Sequence, residues 1–133
     1  MSEIEIKLAA GTDVGLVRKN NEDNFVVNRD LSQSEWIIPQ SSETIPLGKY
    51  GTLLVVADGM GGTNAGEVAS AIAIETVQNA FTPEKLDKIV TFEGEMATEE
   101  AIEEFLTKTI KAADLNIVNA SKEDSSTQGM GTT

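Results

Sequence analysis

Apolar and polar residues alternate from the start of the chain. Ile4, Ile6 and Leu8 are interleaved with Glu3, Glu5 and Lys7, the period of two that marks a strand with one buried face. Gly11 and Gly15 bracket a turn-like segment, and Asn24-Phe25-Val26-Val27-Asn28 predicts a second strand. Residues 29–50 are polar, with Pro39 and Pro46; within them Trp36-Ile37-Ile38 fits either a short hairpin strand or a segment packed on the core. Thr52 to Ala57 is a continuous apolar run bounded by glycines, the pattern of a central strand buried on both faces.

The period then changes to that of helices. The first is predicted from about Asn64–Glu67 to Phe81, with Pro83 closing it. Its small residues Ala65, Gly66, Ala69, Ser70, Ala71 and Ala73 allow close approach to a sheet. The second is predicted from an N-cap at Thr98 to about Ala120, with Glu99 and Glu100 at the positive end of the helix dipole. Ile102, Phe105, Leu106, Ile110, Ala113 and Ile117 recur at helical spacing and predict its buried face, leaving Glu103, Glu104, Lys108 and Lys111 outside. The chain ends on Met130-Gly131-Thr132-Thr133, which suits the first residues of another strand.

Length and composition narrow the picture. The 133 residues suffice for one core-bearing domain, and 22 acidic against 10 basic side chains give a net charge of −12. Such a surface repels nucleic-acid phosphates and anionic lipid, so no general role on either is expected. Solvated helix faces account for most of the charge, since residues 93–104 alone carry six glutamates. With no cysteine and no histidine, disulfides, thiolate chemistry, Cys/His zinc sites and Ser-His-Asp catalysis are all excluded. Any metal must be held by oxygen, which points to Mg²⁺, Mn²⁺ or Ca²⁺. The N-terminus lacks the pattern of a signal peptide and no apolar run reaches the length of a membrane span, so a cytoplasmic chain is expected.

Two short segments carry candidate chemistry. In Val55-Val56-Ala57-Asp58-Gly59-Met60-Gly61-Gly62 a strand runs into one carboxylate and then into nearly bare backbone. A fixed oxyanion beside exposed carbonyls suits a hard cation; a tight strand-to-helix turn with no ligand is the other reading. A nucleotide-binding loop fails on detail, because Asn64 stands where a dinucleotide fingerprint needs glycine and no Gly-Lys-Ser/Thr follows. Upstream, Asn21-Glu22-Asp23 lies behind Arg18. Glu22 and Asp23 diverge on extended backbone, so one can touch a metal and the other bind through water or cap a turn. Arg18 has the planar fork that matches a phosphate, or that pairs with Glu22 or Asp23.

The order of these pieces resembles the bacterial form of the PP2C family of metal-dependent protein Ser/Thr phosphatases. The matching residues are Gly15-Leu16-Val17-Arg18-Lys19-Asn20-Asn21-Glu22-Asp23-Asn24-Phe25, Val55 to Gly62, Ala65-Gly66-Glu67-Val68-Ala69-Ser70 and Gly129-Met130-Gly131-Thr132-Thr133. Residues 29–49 carry none of the likeness. The resemblance implies an α+β fold, part of an α-β-β-α sandwich of two antiparallel sheets flanked by helix pairs. It also implies a binuclear Mn²⁺ or Mg²⁺ centre in a cleft at one end. By position, Asp58 would bridge both metals, Gly59 would lend its backbone carbonyl, Glu22 would bind the second metal, Asp23 would act through coordinated water and Arg18 would clamp the substrate phosphate. A metal-bridging hydroxide would attack phosphorus in line, on phosphoserine and phosphothreonine of phosphoprotein substrates set by an opposing Ser/Thr kinase.

Two features depart from the family pattern. Met60 and Thr63 stand where some members carry histidine, and the family's remaining metal aspartates lie in later motifs that these residues do not include. Residues 1–133 therefore read as the N-terminal portion of one such domain. They are expected to be inactive alone and to self-associate through exposed sheet edges, as a strand exchange or a two-fold dimer. A non-catalytic regulatory module on the same fold and a simple Mg²⁺- or Ca²⁺-binding protein are the competing readings.

Overall fold

In the computed structural model, described for residues 4–62, 65–89 and 98–133, the chain is α+β, with two antiparallel sheets and three α-helices among those residues. Strands β1 (Glu5–Leu8) and β3 (Glu43–Pro46) pair with Ile6 opposite Ile45. Strands β2 (Asp23–Asn28), β4 (Leu53–Met60) and β5 (Gly131–Thr132) form the second sheet in the order β2-β4-β5. This is compatible with part of an α-β-β-α sandwich.

Helix α1 (Ala65–Ala80) packs on one face of the three-stranded sheet and α3 (Glu99–Glu123) packs on α1; the short α2 (Pro83–Asp87) lies between them in sequence and a 3₁₀ turn at Ser125–Thr127 follows. The small-residue surface of α1 works as its sequence predicts. Ala65 and Ala69 are buried against Ile117 and Met130, and Val26, Ala57 and Ile74 close the space between sheet and helix. Pro83 does end α1, and it also opens α2, where its missing N–H costs nothing and Thr82 caps the first turn. The Thr98 cap of α3 accepts from the Ala101 N–H at 3.2 Å. The beginning of α1 at Asn64, Thr63, and the acidic residues Glu93 and Glu95 lie outside the described residues.

Several expectations need correction. The residues 29–50 contain β3, whose sole buried residue is Ile45; one inward side chain is too weak a periodic signal to read. Arg29 ties it to the end of β2: its Nε donates to both Glu43 carboxylate oxygens at 3.0 and 3.1 Å, and its Nη2 stands 2.9 Å from Oε2. Trp36-Ile37-Ile38 divides between its two readings: Ile37 exchanges both backbone hydrogen bonds with Val27, while Trp36 packs beside Ile74 and Phe81.

Strand β4 is central but not buried on both faces, since Leu54 and Val56 are 57% and 75% exposed. The β1–β3 pair covers only the Val27 end of that face, where Leu8, Ile45, Ile6 and Ile37 gather. On α3 the buried line is Thr109, Ala113 and Ile117, whereas Ile110 is 68% exposed. Its first turns also reach past α1, so Ile102 and Leu106 are only partly covered, on the rim of an apolar cavity of about 380 Å³. Among the described residues no helix is long and apolar enough to cross a membrane.

Candidate active site

Strand β4 does not stop at Asp58. Gly59 and Met60 continue it because β5 pairs with them, Gly59 opposite Thr132 and Met60 opposite Gly131. Asp58 itself exchanges both backbone hydrogen bonds with Thr133, at 2.9 and 3.1 Å, and the Thr132 hydroxyl donates to its carbonyl at 3.0 Å. With those bonds committed to β5, the facing pair Asp23–Asp58 on β2 and β4 makes none of its own. Such a pair sets its two side chains close on one sheet face, and like charges so placed repel. A cation beside them offsets that cost.

Glu22 precedes β2, and its carbonyl accepts from the Gly59 N–H at 3.2 Å. Its side chain turns toward the start of α1. A Cβ on Gly66 would fall 2.8 Å from Glu22 Oε2, and one on Gly59 would fall 2.2 Å from the Gly66 carbonyl oxygen. Both glycines are therefore required by close approach of backbone, not by turn geometry. Arg18 Nη1 stands 3.5 Å from Glu22 Oε2; the arginine side chain is 71% exposed and the glutamate 12%. Arg18 thus does pair with Glu22, at one nitrogen and at a loose distance, leaving most of its fork in solvent.

These residues open onto one cleft of about 410 Å³, lined by Arg18, Lys19, Asn20, Glu22, Asp58, Gly59, Met60 and Gly61. Of the sequence candidates, Arg18, Glu22, Asp58 and Gly59 come together there, and Asp23 stands beside Asp58 without lining it.

Against known proteins the chain is 34% identical over 122 residues to the serine/threonine phosphatase stp of Listeria monocytogenes serotype 4b (strain F2365). It is 33% and 32% identical over the same length to proteins of that name from Listeria innocua and Listeria welshimeri. The alignments take in 92% of this chain but 38% of each relative. The chain is a homologue of bacterial serine/threonine phosphatases. It spans about two-fifths of the length of the curated relatives it matches. No family model and no solved structure matches it.

Among the groups lining the cleft, the Glu22 and Asp58 carboxylates and the Gly59 carbonyl are hard oxygen donors. No group of three or more acidic side chains close enough to hold a metal occurs among the described residues. Two carboxylates fit a Mg²⁺-like ion, which keeps several waters and takes one or two carboxylates together with substrate phosphate. They fall short of a dedicated Ca²⁺ cage, which takes about six to eight oxygens. Sequence reasoning did not assign the cleft positions of Lys19 and Gly61, nor the support given to Glu22 by Gly66 and Ser70. The small-residue face of α1 carried a signal for the last two, but their partner lies more than forty positions upstream (Ser70 to Glu22, 48).

Proposed function

We propose that this chain is the metal- and phosphate-binding part of a PP2C-type protein phosphatase domain. Its parent hydrolyses phosphoserine and phosphothreonine on proteins, in the cytoplasm and in opposition to a Ser/Thr kinase. The observation that carries the proposal is the convergence of Arg18, Glu22, Asp58 and Gly59 on one cleft in a chain homologous to phosphatases.

Each residue has a role that its chemistry supports. The exposed fork of Arg18 holds two oxygens of the substrate phosphate. Glu22, Asp58 and the Gly59 carbonyl hold Mn²⁺ or Mg²⁺, and Asp23 acts through an intervening water. When bound, such ions activate water and neutralise charge developing on the phosphoryl oxygens. Water adds to phosphorus, the bond to the serine or threonine oxygen breaks, and the hydroxyl and inorganic phosphate are released. With two carboxylates in the cleft, the 133 residues alone hold too few ligands for a binuclear centre and do not turn over.

The experiment compares the isolated chain with the longer protein that contains it, on a phosphothreonine peptide with Mn²⁺, Mg²⁺ or EDTA. The expected result is ion-dependent release of phosphate by the longer protein, lost in Arg18→Ala and Asp58→Asn, and none by the isolated chain. Turnover that survives EDTA and both substitutions would refute the assignment.

A further inference from the structure

We infer that Ser70 is a positioning residue for Glu22, fixing the backbone of a residue that lines one cleft with Asp58; the inference rests on the metal-site reading above. Ser70 lies one turn into α1 and is 1% exposed. Its hydroxyl donates to the Glu22 carbonyl at 2.8 Å, across 48 positions of sequence, although the Glu67 carbonyl of its own helix is within reach at 3.2 Å. A helical hydroxyl needs no outside partner, because a carbonyl three or four residues back satisfies it. Thr76 and Thr109 take that route, donating to Ile72 and Phe105 at 2.8 and 2.9 Å. Ser70 instead directs its proton, at the shorter distance, to the segment that carries a site residue.

The Glu22 carbonyl therefore has two donors from two elements: the Ser70 hydroxyl of α1 and the Gly59 N–H of β4. The other end of the residue is largely buried and lies close to α1. Glu22 is 12% exposed, and its carboxyl carbon sits 2.7 Å from where a Cβ on Gly66 would stand. The backbone is bonded to α1, and the carboxylate lies against the first turn of that helix while pairing with Arg18 at 3.5 Å. Freeing either end returns rotamer freedom to a side chain that must be ordered to bind a cation. The expected effect on ion affinity is that of removing an outer partner of a metal ligand, about 10-fold to 100-fold.

The test is Mn²⁺ binding to the 133-residue chain, followed by the electron paramagnetic resonance signal of free ion up to millimolar concentration. The thermal midpoint of each protein is measured separately in EDTA. Ser70→Ala, with Ser70→Gly as a second variant, is expected to weaken Mn²⁺ binding about 10-fold at a temperature where both remain folded. Gly66→Ala, which acts on the other end of Glu22, is expected to do at least as much. Ile74→Ala, buried in the same helix away from the cleft, should lower the midpoint in EDTA without changing the affinity of the folded protein. A structural role alone would make the Ser70 variants behave like Ile74→Ala, and that result overturns the inference. Mn²⁺ binding that is absent in the unmodified chain, or indifferent to Glu22→Gln, overturns the metal-site reading and the inference with it.

Discussion

On the side of β4 turned to α1, Ala57 is 3% exposed and Gly59 is buried; on the opposite side Leu54, Val56 and Met60 are 57%, 75% and 58% exposed. Apart from Asp58 on the open side, both faces are built from apolar or small residues, so hydrophobicity does not separate them. Contact does. The first face meets a helix so closely that a methyl group at Gly59 would overlap the Gly66 carbonyl. The second is covered by β1 and β3 only at the Val27 end. Asp58 stands on the open face and Glu22 reaches the cleft from the helix side, so the candidate site lies where the two meet. The packed face gives the site its rigidity, and the open face is where further ligands and a covering layer would have to come from.

The largest expected effects probe the packed face. Gly59→Ala should cost about 3 kcal/mol or more through overpacking against backbone on two sides, read as a fall in the urea midpoint. Ile74→Ala should cost about 2.5 kcal/mol as a buried large-to-small change. Val56→Thr on the open face, which keeps β-branching, should change stability by less than about 0.5 kcal/mol. It should also reduce self-association in sedimentation velocity, because an uncovered apolar face and unpaired strand edges are what would draw copies together. Equal costs at Ile74 and Val56 would break the contrast between the faces.

A smaller effect lies far from both. The hydrogen bond and charge of the Lys108 ammonium hold the Glu104 carboxyl below the usual carboxylate range. A lowered folded value contributes stability above the ordinary glutamate pKa of about 4.3 and loses it as pH falls through the folded value. Glu104→Gln should therefore show a slightly flatter fall in urea midpoint between pH 6 and pH 3 than the unmodified chain. The pair is exposed and adds little, so a large change there would mean that α3 is held differently.

The contrast between faces also explains what could be read from the residues alone. Helices α1 and α3 were legible because small residues, the Thr98 cap and the proline at 83 act locally. Strand β4 was legible as an element, but Val55 and Val56 look alike in sequence although only one of them faces α1. On α3, Ala113 and Ile117 are buried as their spacing predicts, but Thr109 is buried with its hydroxyl satisfied by Phe105, while Ile110 is outside. Polarity is a poor guide when a threonine can bond its own helix. Strand β3 was hidden because a single inward isoleucine gives no period. At the site, Arg18, Glu22, Asp58 and Gly59 were legible from residue chemistry and motif order. The ties from Ser70 and Gly66 to Glu22 were not, because long-range backbone contacts leave no local pattern.

The central claim is that Glu22, Asp58 and Gly59 form one cation-binding cleft beside Arg18. The most direct measurement is an amide NMR titration of the chain with sub-stoichiometric Mn²⁺, whose unpaired electrons broaden nearby signals. The account predicts early loss of the Glu22, Asp58, Gly59 and Gly61 amides, with the signals retained in Asp58→Asn. Broadening spread evenly over the acidic surface of α3, with the cleft amides unaffected, would contradict it.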